Sequence, residues 1–411
     1  MHNLKYSNIT AISLLMSSII PFLITGPFLP DLIVSISSLL FIYFVLRKND
    51  FYYFNHKPFI LFLLFCFYCI VCSLESESKL FSLKSSFFYF RIGVFSCFIW
   101  YLIDKDKSIL TYFYYSLILC FLALIIDGYY QYFFGKNIFG FEISRGNRVS
   151  SFFGDELIMG SYLSRLFPLL FALFLKKKKK KKGPEIFFIG FLFILADVLI
   201  FMSGERAAFF YLNLSTIFII ILIKEYQKFR LVTFIIAIIG VTILSFNSST
   251  LTKRMFINPA KDMGFMKSTH PTNSNKIISK EVVIFSINHD SHIKTAFNMY
   301  KDRSILGHGP KMFRLKCSNP KYATGKKPCS SHPHNFYIQL LAETGIIGFS
   351  FLFVVFCYVL YCGYTQLKSI ILKKKRPLTD YQICLLAGIL ITVWPFTPNG
   401  SFFNNWLIIV Y

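Results

Sequence analysis

The chain has 411 residues, of which 55% are hydrophobic and 19% aromatic, with a mean hydropathy of +0.55 and a formal net charge of +24. This composition excludes an ordinary soluble globular domain, because repeated apolar stretches of about 20 residues are typical of membrane-spanning helices. The first apolar run, 9–28, is long enough to span a bilayer and has no clear small-residue cleavage site, so we expect no cleaved secretory signal.

The hydropathy pattern predicts an all-α polytopic membrane protein with about twelve transmembrane helices and one large periplasmic loop between the ninth and tenth. The predicted spans are 9–28, 30–46, 58–74, 87–103, 108–127, 156–175, 185–203, 207–223, 231–246, 337–361, 380–396 and 402–411. We therefore divide the chain into helices 1–9 (residues 1–246), a periplasmic loop domain (247–335) and helices 10–12 (336–411).

The short loops on one side of these spans carry twenty Lys and Arg residues, and the opposite short loops carry few. The positive-inside rule then predicts a cytoplasmic N-terminus. The run Lys176 to Lys182 contributes most to this bias. It could bind nucleic acid or lipid, but an anchor on anionic membrane lipid explains it as well, so we expect no nucleic-acid partner.

Two longer segments then face the periplasm, 128–155 and 247–333. The second carries fifteen Lys and Arg against four Asp and Glu. A basic outer domain over a membrane bundle suggests an anionic ligand such as a phosphate-bearing lipid headgroup. Within it, the spacing of apolar residues predicts a helix over 291–302, and the sequence Gly-His-Gly-Pro at 307–310 predicts a tight turn.

Two of the ten cysteines, Cys317 and Cys329, lie in this polar loop, and the other eight lie in or beside apolar segments. On the oxidising side of a membrane, two cysteines that close a short loop favour a disulfide. The alternative is a zinc site made by both cysteines with His332 and His334, although that spacing fits no standard zinc arrangement.

Ionisable residues in or at the edge of the spans mark places where charge needs a partner or a cavity. Such residues are Asp155, Glu156, Arg165, Asp197, Arg206 and Glu343. Arg165 would lie near the middle of the membrane, where it could pair with Asp197 or Glu343. Arg206 would lie at the outer surface, where a helix that starts at Ala207 adds backbone N–H groups to an anion site.

Three motifs together resemble the O-antigen ligase and polymerase superfamily of inner-membrane proteins. They are SGERA at 203–207, DRSILGHGP at 302–310 and HPHNFYIQLLAETGIIGF at 332–349. The resemblance covers about 200–411 well, and it covers the N-terminal half by hydropathy. It implies transfer of a glycan from an undecaprenyl-diphosphate donor in lipopolysaccharide biosynthesis, with no metal or nucleotide cofactor. The acceptor would be lipid A-core in a ligase, which we favour, or another lipid-linked repeat unit in a polymerase.

The resemblance also implies site residues. The family's periplasmic histidine matches His334, the arginine of its SGxRA-like turn matches Arg206, and its loop arginine matches either Arg314, which we prefer, or Arg254. We assign further substrate-binding roles to His332, Asn335, His308, Arg254 and Arg165. Arginines can hold a diphosphate with bidentate bonds, and a histidine with an ordinary pKa suits general-base work at neutral pH. Attack by an acceptor hydroxyl would invert the anomeric carbon.

A transporter, such as a lipid-linked oligosaccharide flippase, is the rival from another class, and a non-catalytic sensor is a third possibility. In a transporter, Arg165, Asp197 and Glu343 would line a pathway. Paired broken helices in the two halves would favour it, and the sequence has none that we recognise.

Overall fold

The computed structural model describes residues 6–144, 146–177, 183–263, 265, 283 and 285–403. Within these ranges the chain is all-helical, with two isolated bridges, Lys136 to Glu142 and Ser144 to Arg148, and no strand. The all-α prediction is therefore confirmed. Lysines 178–182 and most of the predicted twelfth span lie outside the described residues.

The helices before the first long loop form one group: α1 (Tyr6–Ser17), α2 (Ile19–Thr25), α3 (Phe28–Lys48), α4 (Lys57–Leu74), α5 (Lys79–Ser86), α6 (Phe90–Lys105) and α7 (Ile109–Phe134). The next group runs up to the large loop: α8 (Met159–Lys176), α9 (Gly183–Met202), α10 (Arg206–Leu222) and α11 (Gln227–Asn247). The large loop and the part after it contain α12 (Ser249–Thr252), α13 (Asn258–Asp262), α14 (Ile287–Asp302), α15 (Phe313–Lys316), α16 (Phe336–Ile371) and α17 (Asp380–Thr392).

Eight helices in the described part of the chain are long and apolar enough to cross a membrane. They are Phe28–Lys48, Lys57–Leu74, Lys79–Lys105, Ile109–Phe134, Met159–Lys176, Gly183–Met202, Gln227–Asn247 and Phe336–Ile371. The stretches Ile9–Thr25, Arg206–Leu222 and Asp380–Thr392 are shorter apolar helices. The chain is thus a multi-pass membrane protein by its helices, whereas the predicted count of twelve spans is not established.

Two predicted spans near the C-terminal end differ from the observed helices. The predicted 337–361 extends to Ile371, and the predicted 380–396 ends at Thr392. Irregular backbone follows over 393–403, which we call the floor segment. Pro395 and Pro398 lie in it, and proline has no N–H for helical hydrogen bonding.

The helix α8 lies at the centre of the bundle, where it packs against α7, α9, α10 and α17. Its inner face is lined by phenylalanines, and Phe167, Phe171 and Phe174 are fully buried. Phe167 and Phe171 contact Phe193 of α9, with ring centroids 4.7 and 5.5 Å apart. This packed apolar centre supports the polar groups at the N-terminal end of α8.

A buried ion pair joins α9 and α11. Arg230 Nη1 donates to Asp197 Oδ2 at 2.9 Å, and its Nη2 donates to the Thr216 hydroxyl at 2.7 Å. The Arg230 side chain is fully buried, and its guanidinium lies over the Phe167 ring. The predicted spans leave Arg230 in the loop 224–230, and the sequence suggests Arg165 as a structural partner for Asp197 or Glu343. Both expectations are wrong, because the first turn of α11 carries Arg230 inward.

Helix α16 is broken at Gly345, which has a positive φ and is not helical (φ 64°, ψ −168°). A Cβ at this position would lie 2.1 Å from the Ile305 carbonyl oxygen, so the close approach requires glycine. The backbone of residues 304–309 hydrogen-bonds to α16 near the break. The His308 N–H donates to the Ala342 carbonyl, and the Gly309 N–H donates to the Glu343 carbonyl. The turn predicted at 307–310 is therefore docked onto this break.

Candidate active site

The loop between α9 and α10 is fixed to the beginning of α8 by Glu205. Its carboxylate accepts hydrogen bonds from the backbone N–H of Gly160 at 2.6 Å and of Ser161 at 3.1 Å, and from the Ser161 hydroxyl at 2.6 Å. These N–H groups belong to the first turn of α8, which has no intrahelical acceptor for them. Arg206, the next residue, begins α10 and is thereby held at a defined place beside α8.

Three arginines surround this turn, and we call Arg148, Arg206 and Arg254 the arginine cluster. Arg148 Nε donates to the Ser203 carbonyl at 3.0 Å, Arg254 Nε to the Gly204 carbonyl at 2.9 Å, and Arg206 Nε to the Arg254 carbonyl at 2.9 Å. Gly204 has a φ of 65°, and a Cβ there would lie 2.9 Å from Arg148 Cγ. The absence of a side chain at 204 lets the arginines approach each other.

The charges of the arginine cluster act on one another. Burial lowers the pKa of Arg148 to about 10, with a further contribution from the nearby charge of Arg254. Burial and then the charge of Arg206 lower the pKa of Arg254. All three guanidinium groups remain protonated at neutral pH, because an arginine starts from a pKa above 12. Like charges held this close form a site for an anion.

Arg148 reaches the cluster because the first loop, 135–158, is folded back onto α7. The buried side chain of Asp127 accepts from the backbone N–H of Ile138 at 3.0 Å and from the Ser151 hydroxyl at 2.6 Å. Gln131 Oε1 accepts from the backbone N–H of Ser150 and of Ser151. These bonds fix the segment that carries Arg148, which sequence reasoning did not select.

Four histidines of the large loop lie together, and we call His289, His292, His332 and His334 the histidine cluster. The ring of His334 is central, with centroid distances of 4.2 Å to His332, 5.2 Å to His289 and 5.4 Å to His292. His289 and His292 lie in the first two turns of α14, whereas the other two precede α16. The fold thus brings two separate parts of the loop to one point.

The backbone around His334 is held by the floor segment. His334 has a φ of 58°, a conformation that a residue with a Cβ adopts only where its surroundings impose it. Its carbonyl accepts from the Asn399 backbone N–H at 2.9 Å, and His332 Nε2 lies 3.2 Å from the Asn399 carbonyl oxygen. Asn399 therefore contacts both histidines with its own backbone.

Asn335, a predicted substrate-binding residue, is the N-cap of α16. Its Oδ1 accepts from the backbone N–H of Tyr337 at 3.0 Å and of Ile338 at 3.1 Å, while its Nδ2 donates to the Pro395 carbonyl at 2.7 Å. These contacts start α16 directly after His334 and bind it to the floor segment. The side-chain hydrogen bonds of Asn335 are therefore structural.

The surroundings of the histidines keep them neutral. Burial lowers the pKa of His334 to about 3, and the neighbouring histidines lower it further. Burial likewise lowers the pKa of His332 to about 4, and the pKa values of His289 and His292 are lowered for the same reason. The expectation of an ordinary pKa for His334 is therefore wrong for the protein without a ligand, because the imidazole is desolvated among other imidazoles.

Two arginines lie close enough to the histidine cluster for their charges to act on it. The charge of Arg206 contributes to the lowered pKa of His289, and that of Arg314 contributes to the lowered pKa of His332. Arg314 lies on α15 with an exposed side chain. Arg206 Nε donates to the Arg254 backbone carbonyl, so among the predicted arginines Arg254 lies with Arg206, whereas Arg314 lies nearer His332.

Cys317 and Cys329 form a disulfide with a Cα–Cα distance of 5.1 Å. The bond leaves these two residues without the thiolates that the zinc alternative requires. The segment it closes ends three residues before His332, and His292 lies near the Cys329 backbone. In the described part of the chain, no group of three His, Cys, Asp or Glu residues has the geometry of a metal site.

His308, also a predicted substrate-binding residue, lies in a separate buried network. Its Nε2 is 3.0 Å from the Met299 carbonyl oxygen, and its Nδ1 is 3.0 Å from Lys316 Nζ. Lys316 also pairs with Glu77, which joins the large loop to the connection between α4 and α5. Burial lowers the pKa of His308 to about 4, so the neutral ring accepts a hydrogen bond from Lys316 Nζ.

Arg165 lies on α8, where its guanidinium stacks over the Tyr211 ring at 4.9 Å. Tyr211 is five residues beyond Arg206 on α10, and its hydroxyl lies beside the side chains of Thr397 and Asn399. Arg165 is therefore connected to the histidines through the floor segment and is not paired with Asp197 or Glu343. Glu343 instead accepts from the Phe313 backbone N–H and from Gln339.

Three residues of the site were not predicted: Arg148, His289 and His292. The two histidines had a sequence signal, since they stand three apart at the start of the predicted helix 291–302. Arg148 had none, because its place depends on how the first loop folds back.

A comparison with protein families finds that residues 189–353 match the family described as O-antigen ligase. No curated protein matches the chain. The matched stretch includes Arg206, Arg254, Arg314, His332 and His334, whereas Arg148 and Arg165 lie before it. The match supports the O-antigen ligase superfamily, and the resemblance that the sequence motifs indicate is therefore confirmed.

Proposed function

Starting from the O-antigen ligase domain at 189–353, we propose that this chain transfers a glycan from an undecaprenyl-diphosphate donor to lipid A-core. The domain belongs to a superfamily of membrane ligases and polymerases that act on lipid-linked glycans. The proposal adds the donor, the acceptor, the residues and the stereochemistry. Polymerisation, with a second lipid-linked repeat as the acceptor, is the other outcome that the same donor chemistry permits.

The observation that carries the proposal is the placement of a neutral histidine between arginines. His334 is central in the histidine cluster, Arg206 acts on the adjacent His289, and Arg314 acts on the adjacent His332. A group transfer from a diphosphate donor needs a base for the acceptor hydroxyl and positive charge for the leaving group. Both requirements can be met here by residues of one chain.

In the reaction we propose, the arginine cluster binds the donor diphosphate, and His334 accepts the proton of the acceptor hydroxyl. The acceptor oxygen bonds to the anomeric carbon of the donor glycan as the bond from that carbon to the diphosphate oxygen breaks. Attack from the side opposite the leaving group inverts this carbon. Undecaprenyl diphosphate leaves with the electron pair, and the guanidinium groups neutralise its charge. No metal or other cofactor takes part in the proposed step.

Binding of the donor would also activate the base. A diphosphate close to the histidine cluster stabilises the imidazolium form and so raises the pKa of His334 from its low value in the free protein. The histidine then becomes a stronger base when the donor is present. This coupling would keep the acceptor hydroxyl from being activated at an empty site.

The lysine-rich connections support a bacterial inner-membrane location with a cytoplasmic N-terminus and a periplasmic site. Arg47, Lys48 and Lys105 lie at helix ends on one side in this arrangement, and the large loop with its disulfide lies on the other. A disulfide persists on the oxidising side of the membrane. Under the same arrangement the division 1–246, 247–335 and 336–411 separates the two membrane parts from the periplasmic part.

The test is glycan transfer in proteoliposomes with purified protein, an undecaprenyl-diphosphate-linked glycan and lipid A-core, with and without a chelator. The variants are His334→Ala and Arg206→Ala, and matched controls are His56→Ala and Arg47→Ala near the opposite helix ends. Product formation that survives the chelator and the control substitutions, and is lost in the two site variants, supports the proposal. Lengthening of the donor without product on lipid A-core makes the chain a polymerase, and the absence of donor consumption rejects transfer.

A further inference from the structure

The floor segment contains a buried amide with no hydrogen-bond partner, directly beneath the histidine cluster. Asn399 is 8% exposed, and its backbone contacts both His332 and His334. In the described part of the chain, neither its side-chain nitrogen nor its side-chain oxygen has a hydrogen-bond partner. Leaving both atoms of an amide buried and unsatisfied is costly unless another molecule supplies the bonds.

Two more polar groups share this condition, one beside Asn399 and one elsewhere in the floor segment. The Tyr211 hydroxyl lies close to the side chains of Thr397, Asn399 and Arg165, but none of these contacts has the geometry of a hydrogen bond, so it has no partner among the described residues. The indole nitrogen of Trp394, in the same segment, also has no partner among the described residues. We call Tyr211, Trp394, Thr397 and Asn399 the floor site.

The chemistry of the floor site differs from that of the arginine cluster. Its hydrogen-bonding groups are an amide, two hydroxyls and an indole N–H, which are all neutral, and the amide both donates and accepts. The Trp394 ring contacts two further aromatic rings, Phe210 and Phe396, at centroid distances of 6.0 and 5.8 Å. Neutral donors and acceptors next to aromatic rings suit the hydroxyl groups and apolar face of a sugar, whereas a diphosphate suits the guanidinium groups.

The two sites are arranged along one helix. Arg206 begins α10 and Tyr211 follows five residues later, so the floor site lies about 7.5 Å deeper along the helix axis. Arg165, stacked on the Tyr211 ring, holds that side chain from the α8 side. The histidine cluster contacts both sites. The charge of Arg206 acts on His289, and the Asn399 carbonyl oxygen lies 3.2 Å from His332 Nε2.

We propose that the floor site binds a sugar residue of a glycan substrate, with Asn399 and Tyr211 contacting its hydroxyl groups close to His334. This rests on the proposed glycan transfer. The sugar belongs either to the donor glycan or to the acceptor, since the hydrogen-bonding chemistry is the same for both. Binding here would place the sugar beside the base while the donor diphosphate occupies the arginine cluster.

The side chain of Asn399 can be tested without disturbing the histidines, because its contacts to His332 and His334 are made by the backbone. The variants are Asn399→Ala, Asn399→Asp and Tyr211→Phe. The matched control is Ser13→Ala, which removes another buried and unpartnered hydroxyl, located on α1. In proteoliposomes, KM is measured separately for the undecaprenyl-diphosphate-linked glycan and for lipid A-core.

Each site variant is expected to raise one of the two KM values about tenfold, the loss of roughly one hydrogen bond, with the other KM unchanged. The KM that moves identifies the substrate whose sugar is bound. Values of both KM and kcat within twofold of the parent protein in all three variants would overturn the proposal. A variant that melts well below the parent is replaced by Asn399→Ser, which keeps a small polar side chain.

A binding measurement separates this proposal from the proposed reaction. The free oligosaccharides, released from the donor and from lipid A-core, are titrated while tryptophan fluorescence is recorded. One of them is expected to change the emission, and the change should disappear in Trp394→Phe and weaken in Asn399→Ala. This result upholds the floor site even if no transfer is detected. No change with either oligosaccharide counts against it even if transfer occurs.

Discussion

Glu205 Oε1 lies 2.6 Å from the backbone nitrogen of Gly160, and a Cβ on Gly160 would lie only 2.9 Å from the same oxygen. The acid that precedes Arg206 is therefore a cap for another helix. The turn that carries the arginine cluster and the start of α8 form a single unit, and the negative charge lies at the positive end of the helix dipole.

We expect Glu205→Ala to lower the free energy of unfolding by about 1–2 kcal/mol, the usual effect of losing a helix cap. Transfer should fall further than stability does, because the arginines then lose the carboxylate that moderates their repulsion. Thermal unfolding in detergent and the proteoliposome assay measure the two effects. Ser161→Ala, which removes a single donor to Glu205, is the control. Equal stability of Glu205→Ala and the parent would show that the cap is unimportant.

Removing one member of the Asp197–Arg230 pair should be far worse than replacing both. Asp197→Leu leaves the Arg230 charge fully buried, and such losses cost about 3–5 kcal/mol. The double variant Asp197→Leu with Arg230→Met keeps the volume apolar and should recover most of that stability. The comparison is made by thermal unfolding in one detergent. A double variant no more stable than the single one would mean that the pair has a role besides neutralising charge.

Substituting Arg148 should weaken donor binding although the residue lies outside the matched family domain. Arg148→Ala removes one of three guanidinium groups, and losing a hydrogen bond to a charged group lowers kcat/KM for the donor about 10- to 100-fold. Arg148→Lys should recover part of this, since it keeps the charge and loses the bond to the Ser203 carbonyl. The measurement is the initial rate against donor concentration. A variant with unchanged kcat/KM would remove Arg148 from the site.

The pH dependence of transfer should differ between the free and the donor-bound protein. The base has to be neutral, and the pKa of His334 in the free protein is about 3, so kcat/KM should remain level as the pH falls from 8 to 5. The bound diphosphate raises this pKa, so the acid limb of kcat should lie at a higher pH. Initial rates over pH 5–8 measure both. A kcat/KM profile that falls with a midpoint near 6.5 would contradict the buried environment of the histidine.

The same shifts act on stability. The folded pKa values of His332 and His334 lie below the unfolded value of about 6.5, so the native state binds fewer protons than the unfolded state between them. The stability linked to these groups is present above about pH 6.5 and is lost as the pH falls towards 4. The acid end of the kinetic profile therefore needs a parallel unfolding measurement at each pH.

Much of the membrane part could be predicted because hydropathy depends on local sequence. Eleven of the twelve predicted spans have an apolar helix in the described part of the chain. Arg206 and His334 could be proposed as site residues from the sequence, because the order of the residues around them resembles a family motif. The start of α11 was not predicted correctly. Arg230 lies at the end of a predicted loop, and a helix that begins one turn earlier changes it from a surface cation to the buried partner of Asp197.

The remaining features depend on contacts between distant parts of the chain. His289 and His334 are 45 residues apart in sequence and 5.2 Å apart by ring centroid, and no periodicity predicts this. The floor segment had a local signal in Pro395, Pro398 and Gly400, which disfavour a helix. Its position beneath the histidines follows from the N-cap of α16, which no count of apolar residues indicates.

The break at Gly345 also has a mechanical consequence. A continuous helix from Phe336 to Ile371 would be about 54 Å long, against a hydrocarbon thickness of about 30 Å. The Tyr68 hydroxyl lies 2.8 Å from the carbonyl oxygens of both Ile305 and Thr344, which fastens the short piece of α16 before the break to α4 and the large loop. We therefore expect a change in lipid thickness to tilt the longer piece that follows Gly345, while the fastened piece keeps its place beside the histidines.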